Sequence, residues 1–293
     1  MATFTGSTDD DTLTGTDDAD TITGDAGNDS LSGLGGADFI DGGSGNDTIY
    51  GGGGNDVIID GPGLDLLFGG SGIDTFQRDW GSLPANTFRL DLNLVLGIQG
   101  ALGGDPNDVD RFSGIENYTC FGFIGGRFTG SDVANVFRTD KGTDTIYGND
   151  GDDQLYAGAA RDRLYGGDGD DLLSGGADRD ILRGGAGDDQ FHFIAPTHGA
   201  DRIYDFSSQT NGNNDSLHFL AANFGGLPLG QLAPGRFIAR EDNRAQDLND
   251  RFIYNVSSGM LWFDRNGSLD GGVRLIADLQ DGATLTHADI FMV

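Results

Sequence analysis

The chain has 293 residues, a formal charge of −30 and a pI of about 4.1. Such a field repels nucleic acid and anionic membrane surfaces, so neither is expected as a partner. No apolar run approaches the roughly 18 residues of a transmembrane helix, the start lacks a signal-peptide pattern, and Cys120, the only cysteine, cannot form an intrachain disulfide.

Only Glu116 and Glu241 are Glu, so almost all acids are Asp, and Gly reaches 52 residues. Asp and Gly are turn formers rather than helix formers. From Gly6 the chain divides into eight uninterrupted nine-residue units. The sixth place is always Asp: Asp11, Asp20, Asp29, Asp38, Asp47, Asp56, Asp65 and Asp74. The eighth is always large and apolar: Leu13, Ile22, Leu31, Ile40, Ile49, Ile58, Leu67 and Phe76. Residues 81–129 break this register; the stretch 88–98 alternates in part and predicts strands. Cys120, within it, reads as a packed core residue. A second block begins at Gly130. Its sixth places are Asn135, Asp144, Asp153, Asp162, Asp171, Asp180 and Asp189; its eighth places are Phe137, Ile146, Leu155, Leu164, Leu173, Leu182 and Phe191. The unit from Ala157 is degraded, and after Phe193 the glycine turns stop.

Six residues rich in Gly and Asp make a turn, and three make a short strand. Side chains alternate along a strand, so the eighth residue faces inward while the seventh and ninth face outward. Two units then close one coil of 18 residues, filled by stacked Leu, Ile and Phe. The expected fold is all-β: a parallel β-roll with a β-rich C-terminal cap. The expected divisions are roll block 1 (1–80), irregular β coils (81–129), roll block 2 (130–195) and a C-terminal cap and secretion domain (196–293).

The turns would stack carboxylates into columns one strand spacing, about 4.8 Å, apart, where like charges repel strongly. Ca²⁺ resolves this, taking about six to eight oxygens from carboxylates and carbonyls. Mg²⁺ demands a stricter octahedron, and Zn²⁺ would want His or Cys, which these turns lack. The units resemble the GGxGxDxUx nonapeptides of the RTX, or haemolysin-type, calcium-binding family. The resemblance implies that the sixth-place aspartates are the metal carboxylates. It also implies carbonyl ligands at the first, second and fourth places where glycine is kept: Gly42, Gly43, Gly45, Gly51, Gly52, Gly54, Gly166, Gly167, Gly169, Gly184, Gly185 and Gly187. Roughly ten ions are expected, because terminal units lack a stacking partner. Asn135 and the Ala157 unit depart from the pattern, which puts sites there in doubt.

Residues 200–293 resemble the C-terminal domain of type I secreted RTX proteins, through Ala200–Phe206, Ala245–Ser268, Gly272–Leu279 and Ala288–Val293. That resemblance implies an uncleaved C-terminal secretion signal, the type I export machinery as partner, and an extracellular location. Asp264-x-Asn266-x-Ser268-x-Asp270 has the alternate-oxygen spacing of a calcium loop or of an ordinary hairpin turn. No enzyme is expected: the repeats start at Gly6, HExxH and GxSxG are absent, and His192, His198, His218 and His287 are scattered. The leading expectation is a secreted protein whose folding is driven by extracellular Ca²⁺. The alternatives are an adhesin or polysaccharide-binding module using the outward Tyr147, Arg163, Tyr165 and Arg183, or the RTX portion of a secreted enzyme. Outward apolar residues, among them Phe39, Val57, Ile59, Leu66 and Phe68, suggest a covered surface in block 1.

Overall fold

In the computed structural model each nine-residue unit makes a glycine–aspartate turn followed by a strand, and strands 18 residues apart pair in parallel. The structure describes residues 1–79, 89–93, 98–102, 109–121, 125–209, 213–242, 244–247, 249–266, 272–280 and 282–293. These form two units, Met1–Gly142 and Thr143–Val293.

In the first unit, Thr3–Thr5, Thr21–Thr23, Phe39–Asp41, Val57–Ile59 and Thr75–Asp79 follow one another in one sheet. The intervening units, Thr12–Thr14, Ser30–Gly35, Thr48–Gly53 and Leu66–Ser71, build the other. Ile40 lies beside Ile58, and Ile49 beside Leu67, so the apolar places stack in register. Ile22, Ile40, Ile49, Ile58, Leu67 and Phe76 are wholly buried between the sheets. Leu13, in the first coil, is only half-buried. Outward residues stay accessible: Phe39, Tyr50 and Leu66 are exposed, and Tyr50 stacks on Phe68 with ring centroids 4.8 Å apart.

Where the nonapeptide stops, strands still join the same sheets. Asn117–Phe121 pairs in parallel with both Thr75–Asp79 and Val136–Arg138, placing Tyr118 in the buried column beside Phe76 and Phe137. Cys120 is buried. On the other sheet Ile98–Leu102 runs antiparallel to both Arg89–Asn93 and Val109–Ser113. Val109–Ser113 then pairs in parallel with Leu66–Ser71. Of the alternating stretch 88–98, Phe88 and residues 94–97 lie outside the described residues.

In the second unit, Thr145–Asp150, Arg163–Asp168, Ile181–Ala186 and Asp201–Ile203 form one parallel run. Gln154–Tyr156, Leu172–Ser174, Gln190–Phe193 and Ser216–Phe219 form the other. Ile146, Leu155, Leu164, Leu173 and Phe191 are wholly buried, as are Ile203 and Leu217 beyond the last nonapeptide. The C-terminal segment closes the roll. Val273–Asp278 pairs with Asp201–Ile203 and leads by antiparallel pairing to Met260–Asp264 and Phe252–Asn255. Ile290–Met292 adds to Ser216–Phe219. Phe219, Phe224, Phe252 and Phe263 fill this end, their ring centroids 4.8–6.4 Å apart. An apolar plug of this kind is what an open solenoid end requires.

Candidate metal centre

The turn is built by positive φ at its second and fourth places. Gly43 and Gly45 sit at φ 94° and 132°, where only glycine is unstrained. A Cβ on Gly45 would collide with the Gly27 carbonyl of the coil below. The first-place glycine has a different task. The space a Cβ on Gly166 would take is bounded by Asp171 Oδ2 and the Gly184 carbonyl oxygen. The same cradle recurs at Gly24, between Asp29 Oδ2 and the Gly42 carbonyl.

Two side-chain ladders run along the turns. In the inner one each sixth-place backbone N–H donates to the next carboxylate: Asp29 to Asp47 Oδ1 at 2.9 Å, Asp47 to Asp65 Oδ1 at 2.7 Å, Asp153 to Asp171 Oδ1 at 2.8 Å and Asp162 to Asp180 Oδ1 at 2.9 Å. These aspartates, Asp144 included, are almost wholly buried. One oxygen is thereby used. Oδ2 of Asp29, Asp38, Asp47, Asp56, Asp74, Asp162, Asp171, Asp180 and Asp189 is buried and meets no donor. Burial pushes Asp38, Asp47 and Asp56 above the ordinary carboxylate range. Burial, with adjacent carboxylates adding to it, brings Asp74 and Asp189 to about 6 and Asp162 and Asp171 to about 8. The outer ladder uses the fifth place: Asn46 N–H donates to Asn28 Oδ1 at 2.9 Å, and Asp188 N–H to Asp170 Oδ1 at 2.8 Å.

A buried anion without a donor needs a cation or a proton. Among the described residues no three carboxylate, imidazole or thiol groups converge on one point. A cation in these turns would therefore draw most of its ligands from carbonyls. A Gly-lined all-oxygen cradle with a carboxylate at its rim fits a hard, flexible ion such as Ca²⁺.

The sequence profile of the RTX calcium-binding nonapeptide repeat matches four times, over residues 5–40, 41–76, 129–164 and 156–191. The two blocks are RTX calcium-binding repeats. No curated protein matches the chain. Among solved structures, the extracellular lipase LipA from Serratia marcescens aligns over 95% of this chain and 39% of its own, with 15% identity and a TM-score of 0.26. The chain thus spans well under half of that lipase.

The RTX turns are not all alike. In the first two, which lack second-place glycine, hydroxyls take up the free carboxylate oxygen. Asp11 Oδ2 accepts from Ser7 N–H and Oγ at 2.7 and 2.9 Å, and Asp20 Oδ2 accepts from Thr16 N–H and Oγ1 at 2.8 and 2.7 Å. Asn135 closes its own turn: Oδ1 accepts from Ser131 N–H, and Nδ2 donates to the Glu116 carbonyl, both at 2.7 Å. In the seventh unit Asp60 stands at the first place. Its Oδ2 binds the Arg78 guanidinium at 2.9 Å, in a buried ion pair that also reaches the Gly61 carbonyl.

Three carboxylates continue the inner ladder where no nonapeptide is legible. Glu116 Oε2 accepts from Asp74 N–H at 2.9 Å, Asp201 Oδ1 from Asp180 N–H at 3.1 Å and Asp215 Oδ1 from Asp189 N–H at 3.2 Å. Burial raises Asp201 well above its usual range and Asp215 to about 7. The usable signal was the short pattern Asp-x-apolar, in Asp201-Arg202-Ile203 and Asp215-Ser216-Leu217. In the 264–270 loop Asp264 and Asn266 are described, whereas Ser268 and Asp270 lie outside the described residues. On the outer face of the second unit Tyr147 and Tyr165 stack with centroids 4.9 Å apart and planes 8° from parallel. Arg163 and Arg183 are exposed beside them, Arg183 lying 5.1 Å over the Tyr204 ring.

Proposed function

We propose that this chain is a secreted, non-catalytic calcium-binding protein whose repeats fold when they meet extracellular Ca²⁺, after export in the unfolded state by a type I system. The observation that carries this reading is the column of buried carboxylate oxygens without donors, all but that of Asp162 beside a first-place glycine. RTX proteins are typically secreted, and the resemblance of residues 200–293 to type I secretion domains supports the export step. No helix among the described residues is long and apolar enough to cross a membrane.

The proposed ligands are the sixth-place aspartates with the carbonyls of the first-, second- and fourth-place residues. Oδ1 holds the ladder together, Oδ2 is left to hold a cation, and the glycines keep the cradle open. Bound Ca²⁺ supplies the positive charge that makes the buried column tolerable. At Asp11, Asp20 and Asp215 a cation would have to displace the donors that already occupy Oδ2; Asp201 extends the candidate set. At the low Ca²⁺ of a cytosol, carboxylate repulsion and the entropy of glycine-rich chain favour the unfolded state. At millimolar Ca²⁺ the binding energy becomes folding energy. Circular dichroism tests this: a chelated chain at neutral pH should be disordered and should gain β-signal cooperatively with added Ca²⁺. An equally folded chelated chain would refute the switch.

A second reading, an outward-facing binding surface, is favoured by the Tyr147–Tyr165 stack with exposed Arg163 and Arg183 alongside. Loss of ligand binding in Tyr147→Ala/Tyr165→Ala with Ca²⁺ uptake intact would support it.

A further inference from the structure

One edge of the second unit departs from the repeat in a consistent direction. In seven of the other thirteen units the fifth place is Asn or Asp, and where the ladder forms its Oδ1 accepts the next coil's N–H. The units from Ala157 and Gly175 put Arg161 and Arg179 there. A guanidinium has no acceptor, so neither arginine can serve the outer ladder. The same units place Ala160 at φ 100° and Asp178 at φ 78°, where most other units keep glycine. Two adjacent coils thus give up ladder bonds and accept left-handed non-glycine backbone to carry arginine. Local rules broken together in this way mark functional positions.

What the edge gains is positive charge in a chain of net charge −30. Arg161, Arg163, Arg179, Arg183 and Arg202 are all exposed. Among the described residues only Arg202 of these is ion-paired, to Asp278 at 2.8 Å. Arg161, Arg179 and Arg202 line one cleft with Asp180, Ile181 and Tyr204. A second cleft shares Arg202 and Tyr204 and adds Ser258, Met260, Asp278 and Gln280.

We propose that this edge binds the carboxylates of an acidic glycan, a polyuronate. The proposal deepens the second reading above and rests on it. Guanidinium forks pair with carboxylates by two parallel hydrogen bonds. Arg161 and Arg179 occupy the same place in successive coils, one strand spacing of about 4.8 Å apart, a repeat suited to a polymer with one carboxylate on each sugar ring. Tyr147, Tyr165 and Tyr204 offer flat apolar surface to the rings, and Ser258 and Gln280 offer partners for hydroxyls. A more densely charged polymer such as a nucleic acid would meet stronger repulsion from the rest of the chain.

The test uses the full Ca²⁺-loaded chain and a fluorescent oligouronate too short to gel with calcium, read by anisotropy. Arg161→Asn/Arg179→Asn restores the ladder residue, so dichroism and Ca²⁺ uptake should be unchanged while affinity falls about tenfold or more. Binding should weaken with salt and be lost for the carboxyl-reduced oligosaccharide. Absence of binding by the native chain, equal affinity in the double variant, or equal affinity for the reduced oligosaccharide or for single-stranded DNA would overturn the proposal. If Tyr147→Ala/Tyr165→Ala abolishes binding while the asparagine variant does not, the surface reading stands and the arginine proposal falls.

Discussion

Acid should replace calcium as the trigger for folding. In the fold without metal, burial and neighbouring carboxylates hold Asp162 and Asp171 at about 8, against 3.8 for a free aspartate. Between those values the folded state keeps a proton that the unfolded state has lost, so stability falls as pH rises through the window. Each pH unit inside it is worth about 1.4 kcal/mol per group. From pH 8 to pH 5 the span is nearly three units, or about 3.6 kcal/mol per carboxyl. Discounting by half for solvent that still screens these edges leaves about 2 kcal/mol each, or about 4 kcal/mol for the pair. That is comparable to the whole stability of a marginal domain. A dilute chain in chelator should therefore gain β-signal between pH 8 and pH 5, the lower limit staying above the pI of about 4.1 to avoid precipitation. Calcium should behave oppositely: protons compete for the same oxygens, so the Ca²⁺ midpoint should rise as pH falls. A chelated chain as disordered at pH 5 as at pH 8, or already folded at pH 8, would refute the reasoning.

Asp56→Asn keeps the acceptor for Asp38 N–H, 2.9 Å away, but removes one buried charge. Calorimetry should show at least one ion fewer, with dichroism in saturating Ca²⁺ little changed. Ala160→Gly relieves a φ of 100° and should stabilise the loaded protein by about 1 kcal/mol. Gly45→Ala should cost more than about 4 kcal/mol, because its Cβ meets the Gly27 carbonyl; thermal melts in Ca²⁺ read both changes. Arg78→Met takes the guanidinium away from the buried Asp60 carboxylate and should cost about 3–5 kcal/mol by urea unfolding in Ca²⁺. Adding Asp60→Gly, which restores the repeat's own first-place residue, should recover most of that loss.

The roll was legible because one nine-residue period sets two things at once. It places Ile40 on Ile58 and Ile49 on Leu67, and it places each aspartate on the next. Spacing alone could not find Asp201 and Asp215, whose ladder bonds span 21 and 26 residues instead of 18. Loops of extra residues separate them, and only the strand after each preserves the register. The alternation around Leu90–Leu92 predicted strands but not their antiparallel course, which is set by pairing partners. The Asp60–Arg78 pair was hidden for another reason. Each residue alone reads as a lapse from glycine, and only the coil stacking shows that the lapses answer one another. The same holds for Ser7 and Thr16, whose hydroxyls become carboxylate donors only once the turn is closed.

Those exceptions argue for the division of labour in the regular turns. In three of the irregular nonapeptides the residue that satisfies the second oxygen is visible: a hydroxyl at Ser7 and Thr16, or an amide exchanged for the acid at Asn135. Where Asp60 intrudes at a first place, a guanidinium arrives with it. The turns of Asp29, Asp38, Asp47, Asp56, Asp74, Asp171, Asp180 and Asp189 have no such residue, and glycine stands at the first place beside Oδ2. A sequence able to supply protein donors at some turns, yet keeping glycine at the others, specifies an external cation there. The apolar column and the Oδ1 ladder define which structure forms; under the proposed function, the open oxygens make its formation conditional on calcium.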